Sequence, residues 1–138
     1  MTALQQKPAL RGLFYWRVLC WWLLAVVVTL TLIPDPDGSV IGFHVNDKVA
    51  HFVCYFALAC GFGCLRLGRR LLWPMLLLMF LGVLLEVAQL LSMYGRMFDP
   101  WDMLANSMGV LLGAILMLTP LSHVFLWFEQ ALGNNARG

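Results

Sequence analysis

Four blocks of apolar residues, each about as long as a bilayer is thick, divide this chain of 138 residues, with only short polar interruptions between them. A stretch of that kind has two stable homes, the interior of a large protein or a membrane, and a chain this short cannot bury four of them in a soluble core. Charged residues make up 12% of the sequence, against roughly 25% in an ordinary globular domain, so too little polar surface exists to cover such a core with a water-facing shell. In hydrocarbon every backbone amide must find its partner within the segment, which makes each block a helix. The expectation is a single all-α domain over 1–138, an integral membrane bundle of four transmembrane helices spanning about 13–33, 49–65, 71–93 and 101–119.

Local signals set these boundaries. Pro34 and the turn-forming stretch 35–39 stop the first span, and Asn46 or Asp47 can cap the second. A basic loop with Arg66, Gly68, Arg69 and Arg70 separates the second span from the third, whose Pro74 falls in the first turn, where a missing amide is tolerated. Asp99-Pro100 places a capping acid before a proline at the first helical position, and Pro120 ends or kinks the fourth span. Lys7, Arg11, Arg17, Arg66, Arg69, Arg70 and Arg137 fall on one side, against Lys48 and Arg96 on the other, which predicts that the N- and C-termini are both cytoplasmic. The first block is bulky, rich in tryptophan and without a small-residue cleavage site, so it reads as a retained helix.

Several function classes drop out. A formal charge of +2 with basic residues confined to helix ends gives no stripe for nucleic acid. Cys20, Cys54, Cys60 and Cys64 lie inside apolar runs, where cysteine behaves as a small hydrophobe, and Cys60 with Cys64 lacks the further ligands a soft metal needs. No cofactor is expected.

The unusual polar residues form three stripes. Asp47, His51 and Tyr55 are spaced four apart and share one helix face, descending about two turns from the extracytoplasmic surface. Glu86 and Gln89 are three apart in the outer half of the third span, and Asp102 and Asn106 are four apart in the first turns of the fourth. Gly109 and Gly113 continue close to that last face as a close-packing motif, open to another helix of the chain or to a second copy in a homo-oligomer. A carboxylate at the depth of Glu86 costs on the order of 2.5–3.5 kcal/mol on insertion scales, so it should face a bundle interior or a wet cavity. Its candidate partners are His51, Lys48 and Arg96. The bland reading is a hydrogen-bond clasp in which Glu86, Gln89, His51 and Asn106 tie helices together.

In this arrangement Asp47-Lys48, His51 and Tyr55 resemble the first motif of the VanZ-like membrane proteins, and Glu86, Gln89, Arg96, Asp99, Asp102, Asn106, Gly109 and Gly113 resemble the second. The resemblance runs from about the first span to the end of the fourth. It implies a bacterial multi-span membrane protein, from a family named for a member associated with low-level resistance to the glycopeptide teicoplanin.

Three functions compete. In the first, a pocket of Asp47, Lys48, His51, Tyr55, Glu86, Gln89, Arg96, Asp102 and Asn106 holds the anionic headgroup of a lipid or lipid-linked envelope precursor, with Lys48, Arg96 and His51 supplying positive charge. No metal is assigned to it. In the second, an intramembrane lipid-modifying or hydrolytic enzyme uses Glu86 or His51 as a base, with a metal held by His51, Glu86, Asp47 or Asp102. A proton-coupled transporter is the third, and four helices without an internal repeat make a poor alternating-access device.

Overall fold

The structure is a computed structural model that describes residues 13–33, 46–65, 71–91 and 99–120. These residues form α1 (Leu13–Leu32), α2 (Asp47–Leu65), α3 (Leu72–Leu91) and α4 (Pro100–Leu118), with no strand among them. All four helices are long and apolar enough to cross a membrane. The all-helical, four-span architecture is the one the apolar blocks predict, and the chain is a multi-pass membrane protein.

Helix starts follow the capping chemistry. Asn46 accepts the amide of Lys48 at 3.1 Å through its side-chain oxygen, so α2 begins at Asp47, two residues before the apolar run proper. Asp99 caps α4 by accepting the Trp101 amide at 2.9 Å, and Pro100 takes the first helical position. At the far end of α4 the backbone turns extended at Thr119, whose amide and hydroxyl both donate to the Leu116 carbonyl, at 3.1 and 2.7 Å. The connecting stretches, the last two residues assigned by sequence to the third span, and both termini lie outside the described residues.

The central pair is α2 and α4, which pack backbone to backbone. A methyl group on Gly109 would lie 2.5 Å from the Phe52 carbonyl oxygen and 3.0 Å from the Phe56 nitrogen; one on Gly113 would lie 2.6 Å from the Ala59 methyl and 3.0 Å from the Phe56 carbonyl oxygen. The close approach these two glycines permit is therefore taken by α2 of the same chain, and a second copy seated on them would have to displace that helix. Around this seam Tyr55, Leu58, Ala59, Val110 and Met117 form the fully enclosed core, joined by Met75 and Leu78 of α3 and Val27 of α1. Outward-facing positions such as Trp21, Trp73, Phe80, Leu91 and Leu118 are apolar and strongly exposed, a pattern water would punish and lipid satisfies.

The helices alternate in direction. Gln89, near the end of α3, donates to the Thr31 carbonyl near the end of α1 at 2.8 Å, while His51 and Asn106 meet near the starts of α2 and α4. One end of the bundle thus gathers the ends of α1 and α3 with the beginnings of α2 and α4. Every polar stripe read from the sequence lies at that end.

Candidate functional site

Lys48 stands one residue inside the start of α2 and reaches across to α4. Its ammonium lies 2.6 Å from an Asp99 carboxylate oxygen and 3.2 Å from Asp102 Oδ1. The two acids differ in setting: the Asp99 side chain is 35% exposed and that of Asp102 only 10%. The Lys48 ammonium, together with the Trp101 amide, holds the Asp99 carboxyl below the usual carboxylate range. A lowered value means that the stabilisation is present above the unfolded value near pH 4 and fades as pH falls through the lower folded value. Asp99→Asn should therefore flatten the loss of thermal stability that the wild type shows on acidification from about pH 4 to pH 2. Melting curves of the two proteins in detergent check it, and superimposable acid profiles would remove the bridge from the stability account.

One turn further along, His51 is partly buried and held from two sides. Its Nδ1 lies 3.1 Å from Asn106 Oδ1, and its Nε2 lies 3.8 Å from Asp47 Oδ1. An amide oxygen only accepts, so Nδ1 carries the proton in this pairing and the ring presents Nε2 towards Asp47. Asp47, His51 and Asp102 each offer a ligand atom within 4.8 Å of the others, close enough to share one cation. Glu86 is not part of that group.

Below this layer the polar side chains are buried. Tyr55 is 1% exposed, Glu86 2%, Asn106 3% and Gln89 8%. Among the described residues the Tyr55 hydroxyl has no hydrogen-bond partner, although it interacts electrostatically with Glu86. A methyl group on Gly82, one turn before Glu86, would lie 3.3 Å from Asn106 Nδ2 and 3.4 Å from the Tyr55 hydroxyl oxygen, so this glycine faces the polar niche. A cavity of about 110 Å³ opens between α1 and α2, lined by Val27, Leu30, Thr31, Asp47, Ala50, His51, Cys54 and Tyr55. Pockets for drug-sized molecules run to roughly 300–1,000 Å³, so this space fits a headgroup fragment or a few waters and not a whole amphiphile.

His51, Tyr55, Glu86 and Asn106 of the three stripes come together, whereas Gln89 turns to the Thr31 carbonyl of α1, and of the stripe residues only Asp47, His51 and Tyr55 line the cavity. Lys48 and His51, considered as partners of Glu86, are engaged with Asp99, Asp102, Asn106 and Asp47 instead. Arg96 lies outside the described residues. Among the described residues this end carries four acids, Asp47, Glu86, Asp99 and Asp102, and one permanent cation, Lys48, which pairs with Asp99 and Asp102. Sequence reasoning missed the Thr31 carbonyl, the Gly82 niche and the double duty of Asp99 as cap and ion-pair partner. Gly82 was findable, as the small residue one turn from a buried acid in a run of bulky ones.

The region carrying all of these residues matches a known family model, VanZ/LLP1, over residues 20–125. The chain belongs to the VanZ/LLP1 family. No curated protein and no solved structure is detectably similar to it. Asp47, His51, Tyr55, Glu86, Gln89, Asp102 and Asn106, and the glycines that bring α2 and α4 together, all lie inside the VanZ/LLP1 match, as does Arg96 in sequence.

Proposed function

We propose that this VanZ/LLP1 protein sits in the bacterial cytoplasmic membrane with both termini inside, and that its polar end opens outward to bind the anionic headgroup of a lipid or lipid-linked envelope precursor. The observation that carries the reading is the Tyr55 hydroxyl, wholly buried near Asn106 and without a hydrogen-bond partner among the described residues. Burying an unsatisfied hydroxyl costs about 1–3 kcal/mol, and a ligand oxygen entering from the neighbouring cavity would recover that cost.

The surplus of acids constrains how an anion can enter. It has to replace a carboxylate as the partner of Lys48, and the Asp99 pairing is the replaceable one, because exposed ion pairs hold little free energy while the Asp102 side of the bridge is enclosed. Arg96, in the short segment before Asp99, would add the second cation and fork onto phosphate. Lys48→Gln and Arg96→Gln should each weaken binding of a polyprenyl phosphate to the purified protein about tenfold, the scale of one charge-assisted contact, with phosphatidylcholine unaffected. Affinity for the phosphate lipid that is unchanged in both variants would sink the reading. The link to glycopeptide susceptibility follows from the family alone, and a change in teicoplanin susceptibility on deleting the gene would test it.

One observation favours a second reading. The Asp47, His51 and Asp102 ligand atoms could hold a divalent cation that activates water for an intramembrane hydrolytic reaction. Metal analysis of the same preparation decides between them: a stoichiometric metal lost in His51→Ala supports the enzyme, and its absence supports the binding pocket.

A further inference from the structure

We propose a second lipid site at the opposite end of the bundle, where a groove between α1, α2 and α3 takes one acyl chain of an anionic phospholipid and Arg17 holds its phosphate. The groove has a volume of about 590 Å³ and is walled by Trp21 and Leu24 of α1, Phe62 of α2, and Trp73 and Leu77 of α3, with Arg17 at the edge where α1 begins. Trp21 and Phe62 meet edge to face at 5.5 Å, which fixes one wall.

Three features identify the occupant. The groove lies along membrane-spanning helices, so it is filled by hydrocarbon and not by water. Its volume suits a single chain better than a whole lipid, since pockets of roughly 300–1,000 Å³ enclose drug-sized molecules. Finally, none of the described residues lining it is acidic, so nothing in the wall competes for the exposed Arg17 guanidinium, in contrast to Lys48 at the polar end. A guanidinium in this position grips phosphate in two-pronged fashion, and tryptophans beside it favour the headgroup level. The sequence gathers Lys7, Arg11, Arg66, Arg69 and Arg70 towards the same end of the spans, so the electrostatic field there also favours an anionic lipid over a zwitterionic one.

The two groove tryptophans serve as native reporters. Two full-length variants, one keeping only Trp21 and one keeping only Trp73 of the six tryptophans, are reconstituted in phosphatidylcholine vesicles containing a minor fraction of phosphatidylglycerol, with bromine placed on the chains of one lipid at a time. Brominated phosphatidylglycerol should quench both tryptophans as though enriched about fivefold over its bulk fraction, the factor expected for one basic residue near the surface. Arg17→Gln should bring that enrichment to unity, Arg17→Lys should retain most of it, and Lys48→Gln should leave it untouched, which separates this site from the polar end. Equal quenching by the two brominated lipids in the wild-type background, or enrichment that survives Arg17→Gln, would overturn the proposal. So would protection of both tryptophans from either lipid, the result expected if the apolar segment 121–128 of the chain fills the groove.

Discussion

Replacing Gly109 by alanine is expected to lower the free energy of unfolding by about 1–3 kcal/mol, the range seen when atoms are forced into a packed core. The added methyl would fall 2.5 Å from the Phe52 carbonyl oxygen and 3.0 Å from the Phe56 nitrogen, and both are helix backbone, so neither can rotate away. α2 and α4 would have to separate along their whole seam. Gly61 provides the control, because a methyl there meets only the Cys20 sulfur, at 3.0 Å, and a side chain can adjust. Thermal or detergent-driven unfolding of both variants measures the difference. Equal stability of Gly109→Ala and wild type would mean that α2 and α4 are not the closely packed pair described above.

Tyr55→Phe is expected to move stability and binding in opposite directions. Removing a buried hydroxyl that lacks a partner among the described residues should stabilise the bundle by about 1 kcal/mol, since the folded state no longer carries the desolvation cost. The same change should weaken headgroup binding about tenfold, because the ligand oxygen loses the donor that was waiting for it. A purely structural tyrosine would behave differently: its loss would lower stability and leave ligand affinity alone. The pair of measurements therefore separates a binding residue from an interhelical clasp at a single position.

The bundle was legible because apolar block length and helix-terminal chemistry are local properties. Asn46, Asp99, Pro100 and Pro120 each act within a turn of their own position, and α2 starts just after Asn46, α4 starts at Pro100 behind its Asp99 cap, and α4 ends shortly before Pro120. The convergence of Tyr55, Glu86 and Asn106 was legible too, because buried polar side chains in lipid have to face other helices. What the sequence left open was the pairing among them. Lys48 could reach Glu86, Asp99 or Asp102, and the choice depends on how far α4 is drawn towards α2, which Gly109 and Gly113 set from about two and three turns beyond Asp102. The same close approach commits Asn106 to His51, which sequence spacing alone does not specify. Nor does the sequence show that Asp99 and Asp102 both come onto Lys48 and offset its charge, because that too depends on how α2 and α4 pack.

Headgroup binding at the polar end is measured by titrating the purified protein with a polyprenyl phosphate under native mass spectrometry. Wild type, Tyr55→Phe, Lys48→Gln and Arg17→Gln are compared side by side. Saturable binding should fall about tenfold in Tyr55→Phe and in Lys48→Gln and persist in Arg17→Gln, with Tyr55→Phe at least as stable as wild type. Affinity that is the same in wild type, Tyr55→Phe and Lys48→Gln, each folded, would contradict a headgroup site at the polar end.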